Sequence, residues 1–219
     1  MNFEWSIIWR SREALLEGTL TTVLLSVVTM TIAIAGGMLL ALMRLSRWRA
    51  LSASSAAFVE FFRNLPLILV VYWAFYVLPE LTGWQLDAFS TGLVALSLNV
   101  SAYNAETFRA GIMSIRKGQG EAALTLGMSE VQAMWHVVLP QAVRRVVPVL
   151  ASTWISLFKD TSLVSVIGVS ELAHVSLEIR AQSFRVLEML TAMAAIYWAL
   201  GYPQAKLVDW INRRYGHTE

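Results

Sequence analysis

From Gly120 to Pro140 the chain reads GEAALTLGMSEVQAMWHVVLP, the one long segment between apolar runs that is too ordered in pattern to be a loop. Residues Glu121, Ala122, Ala123, Leu124, Thr125 and Leu126 favour a helix up to Gly127, which ends it because glycine takes a left-handed backbone without a Cβ clash. Ser129 stands three residues before Gln132, the spacing of a capping box. The pattern predicts a second helix from there to Leu139, with Pro140 as its stop. The expectation is a polar helix-turn-helix hairpin hinged at Gly127.

What surrounds the hairpin is apolar. The 219 residues are 57% hydrophobic and 15% charged, and the mean hydropathy is +0.57, so the chain reads as a membrane protein. Cysteine is absent, which excludes disulfides, thiolate metal sites and cysteine nucleophiles. His136, His174 and His217 are too scattered to suggest a metal site. A net charge of +2 gives no case for nucleic acid.

Taking about 20 apolar residues per crossing, the sequence predicts an all-α polytopic fold with five spans, near 18–43, 55–78, 91–113, 146–169 and 186–208. Residues 1–17 form an expected interfacial segment rich in Trp, residues 114–145 the hairpin loop, and residues 213–219 a tail. Pro66 is expected to kink the second span, and Pro203 to bend or end the fifth. Nothing at the N-terminus reads as a signal peptide. Of the seventeen Lys and Arg, Arg44, Arg47, Arg49, Arg109, Arg116, Lys117, Arg144, Arg145, Lys206, Arg213 and Arg214 fall on the hairpin side. The positive-inside rule then puts the hairpin and the C-terminus in the cytoplasm and the N-terminus outside.

Glu121-Ala122-Ala123, Gly127 six places after Glu121, and Leu139-Pro140 twelve further resemble the EAA loop of bacterial ABC importer permeases. The aromatic-Arg63-x-x-Pro66-Leu segment, Ala110-Gly111-Ile112 and the run from Phe158 through Lys159-Asp160-Thr161-Ser162 to Gly168 are similar to the polar amino-acid branch of that family. The likeness covers roughly residues 18–212. It departs at Arg116-Lys117, where a proline often precedes the lysine.

This resemblance implies the type I ABC importer permease fold in the cell inner membrane, paired with a second permease chain, identical or similar. It implies that Glu121, Ala122, Ala123, Gly127, Leu139 and Pro140 couple to a cytoplasmic ATPase, which binds the ATP and Mg. It also implies an extracytoplasmic solute-binding protein that delivers a polar amino acid.

Two polar stripes in the expected spans point to a lumen. Asn99, Tyr103 and Glu106 are spaced i, i+4, i+7, and so are Ser152, Ser156 and Lys159, each set within one narrow helical face. The expectation is a pathway in which Lys159 meets a substrate carboxylate and Glu106 its ammonium, with a lean toward glutamate or aspartate; the alternative is local pairing of Glu106 with Arg109 and of Lys159 with Asp160. Arg63 either lines the pathway or snorkels to the interface.

Gly118-Gln119-Gly120-Glu121-Ala122-Ala123 fits a dinucleotide fingerprint, but no strand precedes it. No P-loop is present, so the chain itself is not read as an ATP-using enzyme. An ion-coupled secondary transporter or channel is the rival class; it has no need of the hairpin. A membrane enzyme is the third class, and no nucleophile-base or metal constellation stands in the sequence for it.

Overall fold

The computed structural model describes residues 4–215; Phe3, His217 and the end of the expected tail lie outside them. Every regular element among the described residues is helical. The first is α1 (Ser6–Arg10), followed at once by α2 (Arg12–Arg44), α3 (Arg49–Asn64), α4 (Leu67–Tyr72), a π turn at Trp73–Val77, and α5 (Leu78–Thr82). After a short link come α6 (Ala88–Met113), α7 (Lys117–Thr125), α8 (Glu130–Ala133), a second π turn at Met134–Val138, and α9 (Leu139–Asp160). A 3-10 stretch (Thr161–Ile167), α10 (Leu172–Ser183) and α11 (Val186–Tyr215) complete the chain.

By length and composition α2 is the one described helix able to cross a bilayer unaided; two further stretches qualify only as bent pairs. The first pair, Arg49–Asn64 with Leu67–Thr82, is broken by 107°. The expected second span is therefore two helices at an angle. Pro66 has no N–H to give the Phe62 carbonyl, and Leu65 and Pro66 take extended backbone instead. The second pair joins the stretch ending at Ile167 to α10 at 48°. There the expected fourth span, 146–169, needs correction: its helix already begins at Leu139 and ends at Asp160, and the 3-10 stretch leads into α10. Helices α6 and α11 have 26 and 30 residues, about 39 and 45 Å at ~1.5 Å per residue. They are long enough but polar, as helices that face other helices can be.

Two prolines do not stop a helix. Pro203 does not end α11, which runs on to Tyr215. Pro140 is not a stop but the second residue of α9, a position where a missing N–H costs nothing in the helix that follows. Both π turns lie directly before such a proline: Leu139 N–H reaches back to the Met134 carbonyl, and Leu78 N–H to that of Trp73 ahead of Pro79. The wider turn redistributes the carbonyls that the proline cannot serve.

The central core joins Leu25 and Ala33 of α2, Val71 of α4, Leu96 and Val100 of α6, Leu157 of α9 and Val164 of the 3-10 stretch. Inside a bilayer, close packing rather than water exclusion holds such a core. Hence backbones approach closely at Gly37: a Cβ added there would lie 2.6 Å from the Asn104 Cβ and 3.0 Å from the Ala105 nitrogen. At the far end of α2, fully buried Glu171 caps α10, accepting from Ala173 N–H (2.8 Å), His174 N–H (2.7 Å) and the Tyr197 hydroxyl (2.9 Å). Asp87 caps α6, and the bonds from Ser90 hold its carboxyl below the ordinary range.

Candidate functional site: a membrane groove and its hairpin

The hairpin forms from local chemistry. Gly127 has φ +85, with its N–H on the Leu124 carbonyl (2.9 Å) and Met128 N–H on that of Ala123 (3.1 Å). That pair of bonds is a Schellman motif, and only a residue without Cβ takes it at no cost. Ser129 and Gln132 cap one another reciprocally, Ser129 N–H to Gln132 Oε1 at 2.8 Å and Gln132 N–H to Ser129 Oγ at 3.3 Å. Ala123 packs inward, whereas Glu121, Ala122 and Gly127 are exposed, beside Leu126 (81% exposed), Val131 and Trp135. Leu139 is buried and Pro140 exposed. Exposed apolar side chains of this kind on a polar hairpin suit contact with a protein or a membrane surface.

Above the hairpin, α6 and α9 diverge to leave a groove. Its half nearer Asp160 is a hollow of about 440 Å³ lined by Pro66, Asn99, Tyr103, Ser152, Ser156 and Asp160, with Thr153 and apolar residues around them. Its half nearer the hairpin holds about 460 Å³ between Arg63, Tyr103, Glu106, Ser114, Arg145 and Thr153. Tyr103, Val149 and Thr153 line both, so the two adjoin along the α6–α9 seam.

Asn99 and Tyr103 also have structural work. Asn99 Nδ2 donates to the Phe62 carbonyl (3.0 Å), the very group that Pro66 leaves unserved, and Tyr103 donates to the Arg63 carbonyl (3.4 Å). Backbone freed by a break at membrane depth must be satisfied by protein. These two residues therefore pin the break in place as a wall of the groove. The Arg63 guanidinium stacks over the Tyr103 ring at 5.6 Å and lines the hairpin half of the groove.

The two charges expected to line one pathway do not share a hollow. Lys159 lines a separate hollow of about 680 Å³ among α9, α10 and α11, with Phe158, Tyr197, Trp198 and Tyr202. Neighbouring residues on a helix point about 100° apart, so with Asp160 turned into the groove Lys159 is turned out of it. Glu106 is held by Arg109 on its own helix and by Arg44 of α2 (3.3 Å), which also reaches Glu60 (3.6 Å). The acid at the hairpin end is thus already paired. Thr153 and Arg145 are groove residues that the stripe of Ser152, Ser156 and Lys159 omits; stepping back by four from Asp160 gives Ser156, Ser152 and Pro148, whereas stepping from Thr153 gives Val149 and Arg145. No group of His, Asp and Glu suited to a metal occurs among the described residues.

The profile described as "Binding-protein-dependent transport system inner membrane component" matches residues 33–217. The chain belongs to that family. Relatives of this inner-membrane component include the glutamate/aspartate import permease GltK of Escherichia coli O6:H1, 35% identical, with 97% of this chain and 98% of that one covered. The glutamine transport permease GlnP of Escherichia coli K12 is 36% identical over 98% of each chain. Among solved structures, the component is similar to a chain of an amino acid ABC transporter crystallised with histidines, at 31% identity and a TM-score of 0.90, covering 98% of this chain and all of that one. The fold is that of a type I ABC importer permease, all-α and polytopic.

Proposed function

We propose that this chain is the membrane-spanning subunit of an amino-acid importer driven by a separate ATPase. One observation carries the reading: the two walls of the groove, α6 and α9, are joined in sequence through the hairpin, α7 with α8. A push on the hairpin therefore moves one wall against the other, which is how a coupled subunit changes which side a path opens to. Relatives that are named permeases for glutamate/aspartate and glutamine support the class of cargo. The arginines grouped with the hairpin support a cytoplasmic hairpin and C-terminus, with the N-terminus outside. In this reading Glu121, Ala122 and Gly127 meet the ATPase, a solute-binding protein serves the outer face, and a second permease chain closes the groove.

Within the groove, Asp160 receives the substrate ammonium, and Arg63 and Arg145 attract its carboxylate toward the hairpin end. The polarity is the reverse of the one drawn from Lys159 and Glu106. No Lys or Arg lines the half that contains Asp160, so a side-chain carboxylate would enter it without a counter-charge, which is costly at that depth. The cargo favoured is an amino acid with an uncharged or cationic side chain, and the lean toward glutamate or aspartate loses the residue that supported it.

The test is uptake into vesicles holding the chain with its neighbouring ATPase and binding protein. ATP-dependent uptake of glutamine or arginine, lost on Glu121→Arg or Gly127→Val, is expected. Uptake that persists with the ATPase omitted would establish a secondary carrier instead.

A further inference from the structure

The turn that closes α2 touches both the groove and the hairpin. Arg44 donates to Glu106 at the hairpin end of the groove (3.3 Å) and lies 3.6 Å from Glu60 of α3. Three residues on, Arg47 pairs with Glu130, the first residue of α8. Beneath the two arginines, Met38, Leu42 and Leu45 pack in one apolar cluster with Ile112 of α6, Ile115 just after it, and Met134, Val138 and Leu139 of the hairpin's return. The turn is thus bound to the groove acid and to the hairpin within one helical turn of sequence, by charge and by packing. It cannot slide along α6, because Gly36 and Gly37 seat their backbone against Ser101, Asn104 and Ala105.

We propose that the end of α2 and the loop that follows it are a second coupling element, in which Arg47 takes up movement of α8 through Glu130 and Arg44 passes it to Glu106. This rests on the ATP-driven reading above. The Arg47–Glu130 pair is exposed, with side chains 80% and 62% accessible, so its contribution to stability is small. What it supplies is a direct tie from α8 to the end of α2, beside the hairpin's covalent links to α6 and α9. Arg47 is a positioning residue: it touches no substrate.

Charge exchange separates this role from a surface ion pair. In vesicles containing the complete transporter, uptake and ATP hydrolysis are measured together. Arg47→Glu and Glu130→Arg are each expected to lower substrate moved per ATP about tenfold, and the double exchange to bring the ratio back to within about twofold of wild type. The same ratio should fall in wild type as salt is raised, since an exposed pair is screened within about 10 Å at 0.1 M. Single exchanges that leave the ratio unchanged, or a double exchange no better than either single, would overturn the proposal while the importer reading stands. Wild-type uptake without hydrolysis would overturn both, and the two failures are distinguishable in that one assay.

Discussion

One helix, α6, shows polar residues on two faces that behave in opposite ways. Toward α2 it presents Ser97, Ser101 and Asn104 to a seam so tight that neither amide atom of Asn104 has a hydrogen-bond partner among the described residues. Toward α9 it presents Asn99, Tyr103 and Glu106 to an open path. Polarity at membrane depth is common to both. What separates them is the partner helix: small residues in α2 let the backbones close, whereas α9 stands off and leaves room. A polar stripe therefore marks a path only where the opposing backbone stands off from it.

The sharpest way to break this contrast is to open the closed face. Gly37→Val would drive a branched side chain into the Asn104 Cβ and the Ala105 backbone, and overpacking of that kind costs about 3 kcal/mol. A large drop in the thermal midpoint of the detergent-purified chain is expected, against less than about 0.5 kcal/mol for Thr153→Val on the groove side. Equal midpoints for the two variants would show that the seam is not sealed.

Next in size is the tie across the break. Asn99→Leu leaves the Phe62 carbonyl without its donor and should cost about 1–3 kcal/mol. Adding Pro66→Ala restores an N–H four residues after Phe62, so the double variant should recover most of the loss in midpoint; no recovery would mean that Asn99 serves the path alone.

Asp160→Asn should raise the substrate concentration for half-maximal uptake about tenfold, equivalent to about 1.4 kcal/mol, with an unchanged midpoint. Lys159→Met should change it by less than about twofold, because that side chain faces the other hollow. The reverse ranking would put the groove on the wrong side of α9.

The smallest effect is at the mouth. The Asp87 carboxyl, lowered by Ser90, stabilises α6 fully above the unfolded-chain value near 3.9, and that contribution is lost as pH falls through the lower folded value. Midpoints of wild type and Asp87→Ala, measured between about pH 3 and pH 7, should therefore converge at the acid end; a gap that widens there would refute the cap.

The hairpin was legible because its signals are local: Gly127 and the Ser129–Gln132 box act within six residues. Pro140 was ambiguous, since the same ring that ends one helix opens another, and only the π turn before it shows which. The rotation of α9, which puts Asp160 rather than Lys159 in the groove, is set by contacts with α6 and α11 and leaves no local trace. The role of Asn99 was recoverable in principle. Pro66 announces an unserved carbonyl at Phe62, and in lipid something must answer it.

The two π turns have a consequence for how the chain tolerates changes of length. Each holds one residue more than an α-helical turn of the same reach, so removing a single residue from Trp73–Val77 or Met134–Val138 tightens the coil while keeping every later residue at its azimuth. Elsewhere in α2, α6 or α9 the same deletion would rotate all that follows by about 100° and scramble both faces. Natural or engineered one-residue gaps should therefore gather at those two places.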